Sequence, residues 1–286
     1  MKIGIVTDST ADLTPEYYKE NDVIMVPLTV HFGDAVYKDW VDMPLDRFYP
    51  TMEASVAAGI LPKTSQPPAG DFVEAYKGLA EKGVDHIISI HISAKLSGTM
   101  QSAKGATGIF KDIPVTLIDS EITAGLLGSF VKELVEARAG GADVEEMIAV
   151  ANRCKEWGKF FFTVKTLKYL ELGGRIGKAS ALLGTLLSVK PLLTLEDGVV
   201  NAKGKASGAN KAMKELVGFL KVESDKRQKS QKSRLILGYT DNPEIMDKVK
   251  GLIDEAGISY DTVDKGQVGS VIGAYVGPGA YMIGIL

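Results

Sequence analysis

The chain has little of what most site chemistry is built from. Among 286 residues there is one cysteine, Cys154, and there are three histidines, His31, His86 and His91. A single cysteine excludes an intrachain disulfide and fits a reducing cytoplasm, where such a thiol ordinarily packs as a small hydrophobe on a helix. His86 and His91 bracket one apolar run and fall on opposite faces of it, so they cannot share a metal ion. No Gly-x-Gly-x-x-Gly follows a strand pattern. Gly277-Pro278-Gly279 begins one, but Met282 stands where the third glycine belongs. Gly177-Lys178 resembles the end of a phosphate loop, yet the position five before Gly177 is Leu172. There is no Gly-x-Ser-x-Gly elbow, and no Ser-His-Asp set assembles. These absences leave nucleotide, metal and other cofactor chemistry without support. Nor is there an excess of one charge: the net charge is −3, which argues against a dedicated nucleic-acid binder.

Long apolar runs are also missing. Met1-Lys2-Ile3-Gly4-Ile5-Val6 reads as a strand, with neither the apolar core nor the small-residue cleavage site of a signal peptide. No charge follows Lys265, so the last stretch has the length of a membrane span. Gly266, Gly269, Gly273, Gly277, Pro278, Gly279 and Gly284 punctuate it, and the pattern predicts a short helix, a Gly-Pro-Gly turn and a final strand over Tyr281–Ile285. No internal repeat or low-complexity segment is present.

What is there is the composition of a globular protein, 45% hydrophobic and 24% charged, with length enough for two domains. Strands are expected at Ile3–Val6, Ile24–Val30, Ile87–Ile92 and Val115–Ile118. Helices are expected at Pro15–Glu20, Pro44–Met52, Gly70–Lys82, Gln101–Phe110, Gly125–Ala139 and Val144–Lys155. This alternation argues for a parallel sheet covered by helices. Phe160-Phe161-Phe162 starts a less regular second half. There Glu196-Asp197-Gly198 separates two apolar runs as a hairpin turn would. A helix over Lys211–Lys221, a strand at Leu235–Leu237, a helix over Pro243–Glu255 and a strand at Tyr260–Val263 follow. Glu223 to Arg234 is a charged run that reads as a solvated loop or helix end. The expected fold class is α/β with two domains: a Rossmann-like parallel-sheet domain over residues 1–157 and a mixed-sheet domain over 158–286, with a ligand site between or beside them.

Polar residues fall where that fold would use them. The strands end in Thr7-Asp8-Ser9-Thr10, in Ser93 with Ser97-Gly98-Thr99 close behind, and in Asp119-Ser120. A parallel sheet gathers these ends at one edge, where ligands of open α/β sheets sit. Leu96-Ser97-Gly98-Thr99 lies where a strand hands over to a helix. Free amides there favour an anion, and glycine lets a ligand approach the backbone. Lys63-Thr64-Ser65-Gln66-Pro67 is expected to be a proline-stiffened loop from which Thr64 and Ser65 project. Asp8, Asp12, Asp119 and Ser120 read first as caps and turn formers, Thr64 and Ser97 as ligand contacts.

Taken in order, a set of segments resembles the DegV family of bacterial fatty-acid-binding proteins. It comprises Asp8-Ser9-Thr10-Ala11-Asp12-Leu13, Thr64-Ser65-Gln66-Pro67 with Gly70-Asp71-Phe72, Leu96-Ser97-Gly98-Thr99 with Gln101-Ser102-Ala103, and Ile118-Asp119-Ser120. Leu167-Lys168-Tyr169-Leu170 with Gly173-Gly174-Arg175-Ile176, Lys190-Pro191-Leu192 and Gly277-Pro278-Gly279 complete it. The resemblance implies a carrier that encloses a long-chain fatty acid in a tunnel and presents its carboxylate to a separate fatty acid kinase; the acyl phosphate then enters phospholipid synthesis. It implies carboxylate contacts at Thr64 and Ser97, helped by Ser65 and the Gly98 amide. It places Arg175 near the entrance and the kinase contact. Two positions depart from the family. Tyr275 stands where a histidine often precedes Gly-Pro-Gly, and can donate a hydrogen bond but carry no positive charge. Lys203-Gly204-Lys205-Ala206-Ser207 has lysines only where an arginine is frequent. A transient contact with a membrane surface fits such a carrier. The competing reading is an enzyme, a phosphotransferase or hydrolase, working at the sheet edge around Asp8 and Ser97; the absence of an evident base or metal set near Ser97 speaks against it.

Overall fold

A computed structural model describes residues 1–184, 189–227 and 232–286. Four strands form a fully parallel sheet: β1 (Ile3–Asp8), β2 (Val23–Val26), β6 (His86–His91) and β7 (Val115–Asp119), in the order β2-β1-β6-β7. Every residue of β1 is buried, as a strand covered on both faces requires. One face is covered by α3 (Ala69–Glu81) and α4 (Thr99–Ile109), through Phe72, Tyr76, Ala103 and Ala106 against Val6 and Ile87. Burying a side chain such as Phe72 contributes about 1.5–3 kcal/mol. The other face meets α5 (Ala124–Ala139), whose Leu126, Leu127, Phe130 and Leu134 join Ile5, Ile88 and Ile90.

The second sheet is mixed and has the order β10-β9-β8-β13-β11-β12. Its strands are β8 (Lys159–Thr163), β9 (Val189–Glu196), β10 (Val199–Ser207), β11 (Arg234–Tyr239), β12 (Thr262–Gln267) and β13 (Tyr281–Ile285). Only β11 and β12 run parallel. The predicted hairpin joins β9 to β10, with Asp197 at φ 52° and Gly198 at φ 74°, the left-handed pair a tight two-residue turn demands. Phe160, Phe162, Ile236 and Met282 share one core with α5, so that helix lies between the two sheets. On its far side the mixed sheet is covered by α8 (Ala209–Asp225) and α9 (Ile245–Glu255). The protein is thus α/β, with a parallel sheet drawn from residues 3–119 and a mixed sheet drawn from 159–285. A division at 157/158, between α6 (Val144–Trp157) and β8, is the one we propose.

Two expectations are corrected. Ile24–Val30 is not one strand: Pro27 ends β2, and the chain re-enters as β3 (Thr29–Phe32) in a different sheet. Proline has no amide to continue a ladder, which accounts for the break. The stiff loop at Lys63–Ser65 is a strand, β5, and with β4 (Ala35–Lys38) and β3 it makes a small antiparallel sheet. The charged run from Glu223 opens at a helix end, one of the two readings expected of it, since α8 continues to Asp225; residues 228–231 of that run lie outside those described. Cys154 packs in the α5–α6 core, and burial pushes its thiol up to about 12. Among the described residues, no helix is long and apolar enough to cross a membrane.

The small sheet matters because the chain's end returns to it. The helix α10 (Ser270–Val276) packs with α2 (Leu45–Ala57) and β3, sharing a core of Leu28, Val30, Phe48, Met52, Val271 and Ala274. Its start is held by two side chains from the first half. Asp39 accepts from the Ser270 amide at 3.1 Å and from its hydroxyl, and the Tyr49 hydroxyl donates to the Val268 carbonyl at 2.8 Å.

Candidate functional site

A cavity of about 330 Å³ lies beyond the carboxyl ends of the parallel strands, between that sheet, α10 and the mixed sheet. The volume is within the ~300–1,000 Å³ common for small-molecule sites, and the location is where strand order reverses. Its buried wall is largely apolar, with Thr123 and Tyr281 the hydroxyl residues in it. Leu28 and Ile92 come from the segments after β2 and β6, Phe160, Phe162, Leu195 and Met282 from the mixed sheet, and Val271 from α10. Leu96, Ile272 and Val276 are partly exposed on the lining, and the mouth is marked by the seven other partly exposed or exposed lining residues, Thr64, Ser65, Gln66, Ser97, Gly98, Arg175 and Tyr275. Six of these seven are the residues singled out from sequence; Gln66 is the addition.

Each mouth residue is placed by a distinct element. Thr64 sits in β5 opposite Val30, on the face that looks to α10, and its Oγ1 lies 2.6 Å from the Tyr275 hydroxyl. Ser65 takes the next place along the strand, and successive side chains alternate faces. Its hydroxyl is therefore turned to His31, with Oγ 2.9 Å from Nε2, and His31 Nε2 is also 3.1 Å from Thr29 Oγ1. Ser97 and Gly98 precede α4. The Ser97 hydroxyl lies 2.9 Å from Thr99 Oγ1 and accepts weakly from the Thr99 amide at 3.3 Å. Arg175 follows α7 (Lys168–Leu172). It donates through Nε to the Leu96 carbonyl at 3.1 Å and through Nη1 to the Gly173 carbonyl at 2.7 Å, and its guanidinium stacks 5.2 Å from the centre of the Tyr275 ring. A cation thus lies beside the Tyr275 phenol at the mouth. Arg175 joins the two halves through a carbonyl rather than through the carboxylate of an ion pair.

The acidic strand ends do other work. Asp8 is fully buried and its carboxylate is saturated: Oδ1 accepts from the Thr10 amide at 3.0 Å and hydroxyl at 2.6 Å, and Oδ2 from the Ile92 amide at 2.9 Å and from His91 Nδ1, 3.1 Å away. It ties β1 to the end of β6 and does not line the cavity. His91 is engaged by Asp8 and by Ser89, whose hydroxyl lies 2.7 Å from Nε2, so it is not turned to Ser97 as a base. Asp119 accepts from the Ala94 and Glu121 amides. Ser93 donates to the Gly198 carbonyl at 2.8 Å, which docks the β9–β10 hairpin on the parallel sheet. A sheet-edge enzyme built on Asp8 therefore lacks its nucleophile. Among the described residues no cluster of three or more His, Cys, Asp or Glu side chains could hold a metal ion.

Two further carboxylates lie buried near the start of α10. Burial is the main cause that raises the Asp39 carboxyl to about 6, against hydrogen bonds from Ser270 that lower it. Asp12 is raised as well, by burial and by the neighbouring Asp39.

A largely apolar chamber with hydroxyls, a backbone amide and one guanidinium at its mouth, set at the switch point of a parallel sheet, is a lipid-binding type of site. The comparisons agree with that class. A family model described as "Uncharacterised protein, DegV family" matches residues 2–286, and the chain belongs to the DegV family. A DegV domain-containing protein of Halalkalibacterium halodurans is 36% identical over 281 residues, covering 98% of this chain and 96% of that one. Among solved structures, the chain resembles a fatty-acid-binding DegV family protein from Thermus thermophilus with a TM-score of 0.93 at 34% identity, over 100% of this chain and 99% of that one. DegV of Bacillus subtilis, described as a fatty acid binding protein, gives a TM-score of 0.87 at 30% identity, over 100% and 99%. The two solved structures are described by what they bind.

Proposed function

We propose that this protein is a cytoplasmic carrier that binds one long-chain fatty acid in the cavity. Thr64 and Ser97 hold the carboxylate, with the Gly98 amide and Tyr275 assisting, and a separate fatty acid kinase receives it for conversion to acyl phosphate and use in phospholipid synthesis. The observation that carries this reading is the polarity of the cavity: its buried wall is largely apolar, Thr123 and Tyr281 being the hydroxyl residues in it, and most of its polar lining is collected at the mouth. A chain of roughly 16 carbons gains about 12 kcal/mol of gross hydrophobic free energy at ~0.8 per methylene, before the costs of association. A carboxylate that follows it to the mouth must be hydrogen-bonded or remain in water. Hydroxyls and amides meet that need without covering the oxygens a phosphoryl donor must reach. Arg175 at the rim and the exposed Lys205 on β10 are the basic groups we assign to kinase contact or to passing contact with an anionic membrane surface.

The test is direct. Denaturing extraction of the purified protein followed by mass spectrometry should release about one fatty acid per chain. A preparation that is free of lipid, and that also fails to take up added long-chain acids, refutes the reading.

A further inference from the structure

Gln66 lines the mouth. Its Nε2 lies 2.9 Å from the Ser102 hydroxyl on the first turn of α4, so the side chain reaches from the end of β5 across to the helix that follows Ser97. On the way it covers Gly98. A Cβ on Gly98 would come within 2.6 Å of Gln66 Cδ and 2.9 Å of Nε2, and closer still to Oε1. Gly98 is glycine because the carboxamide lies on it. The amide therefore stands between the segments that carry Thr64 and Ser97, on the cavity lining itself.

Its two ends are chemically opposite. As placed, the NH₂ donates to Ser102 and the carbonyl oxygen faces Gly98. A carbonyl lone pair beside an incoming carboxylate is repulsive. Ser102, however, is a hydroxyl, both donor and acceptor, so it can serve either end of the amide. Turning the carboxamide by half a revolution keeps the tether, with Ser102 now donating to Oε1, and aims the NH₂ at the mouth. Amide orientation is assigned from just such partners. The tether costs the same either way, and the charge of the occupant decides.

We propose that Gln66 is a further ligand-binding residue, whose carboxamide turns on its Ser102 tether to donate to an anionic headgroup. The proposal rests on the fatty-acid reading of the same cavity and sharpens it: the site would distinguish a carboxylate from an uncharged headgroup through a donor that reorients.

The test compares a long-chain fatty acid with the fatty alcohol of the same length, by displacement titration on the full chain. The unsubstituted protein is titrated first; failure to bind the acid there refutes the carrier reading and leaves Gln66 without a ligand. Where it binds, Gln66→Met, neutral and of similar length, should weaken the acid roughly ten- to hundredfold, the range for a hydrogen bond to a charged group, and the alcohol by less than about fivefold. A second measurement needs no variant to fold. The Gln66 side-chain NH₂ resonances of the unsubstituted protein should shift on adding the acid and stay in place on adding the alcohol. Equal losses for acid and alcohol, no loss for either, or NH₂ resonances indifferent to the acid would overturn the proposal.

Discussion

Thr64 and Tyr275 bring two hydroxyls to the mouth, 2.6 Å apart. Each has one proton to give. Whichever of them donates to the other, their mutual bond uses one proton and leaves one to point elsewhere. The pair therefore delivers a single donor to a headgroup, and either member can supply it. Thr64→Val roughly keeps the volume and removes one hydroxyl, but it frees the Tyr275 proton. Tyr275→Phe does the converse. Each single substitution should then weaken a long-chain fatty acid by no more than about fivefold, the worth of a neutral hydrogen bond near 1 kcal/mol. The double variant removes the last donor and should lose about 1.5–3 kcal/mol, roughly ten- to hundredfold. The assay is a displacement titration of acid and matching alcohol against all four proteins. The coupling should be of the size seen for contacting residues, about 0.5–3 kcal/mol. The reasoning fails if the two single losses are each large and simply add. It fails also if the acid and the alcohol weaken equally, because then these hydroxyls do not read the charge.

Two further outcomes follow from the geometry. Arg175→Ala removes a rim side chain that bonds the Leu96 and Gly173 carbonyls and stacks on Tyr275; kinase-dependent acyl phosphate formation should fall while fatty-acid affinity changes by less than about tenfold, and loss of lipid binding together with a lowered melting temperature would assign Arg175 a structural role instead. Burial lifts the Asp39 carboxyl from 3.8 to about 6, so between those values the folded chain holds a proton that the unfolded chain has released. Stability on this account falls as pH rises from about 4 to 6 and stays lower by about 3 kcal/mol above. Asp39→Asn, still able to accept from Ser270, should raise the melting temperature at pH 7 and flatten the pH dependence over that window relative to the unsubstituted protein, and an unchanged difference between pH 4 and 7 would refute the assignment.

The parallel sheet was legible because its strands are short apolar runs separated by amphipathic helices, and because two of its three crossovers, β1 to β2 and β6 to β7, are short. From that much, the gathering of Ser97 and the strand-end acids at one edge followed directly. The small sheet was not legible. β4 is mostly exposed and β5 is three residues long, so neither gives an alternating signal strong enough to read. Missing β5 had a cost at the site. A loop lets Thr64 and Ser65 project together, whereas a strand sends them to opposite faces, and only Thr64 meets Tyr275. Tyr275 itself entered through a family resemblance, since nothing in the spacing brings residue 275 back to residue 64. Gln66 was quoted within a motif but given no role. Its signal was a pair of residues, a glycine that must stay bare and a serine one turn into the next helix, and that pairing is visible only once β5 and α4 stand side by side.

The buried acids explain how a site assembled from such distant segments holds its shape. The mouth needs Tyr275 at Thr64, and Tyr275 rides on α10, a helix of seven residues that has no strength of its own. Its position is imposed at its start, where Ser270 meets Asp39, and along its length by the core it shares with α2 and the small sheet. Asp39 is held in turn through the segment around Leu28: its amide donates to the Leu28 carbonyl, and the Leu28 amide donates to Ser9, the neighbour of Asp8. Leu28 lines the cavity. The acidic cluster after β1, the cavity wall and the headgroup tyrosine therefore form one connected chain of contacts. A carboxylate buried at a cost is tolerated in that chain because it fixes α10, and fixing α10 places Tyr275 at the mouth. That accounts for polar residues at the end of β1 that touch no ligand and yet belong to the site.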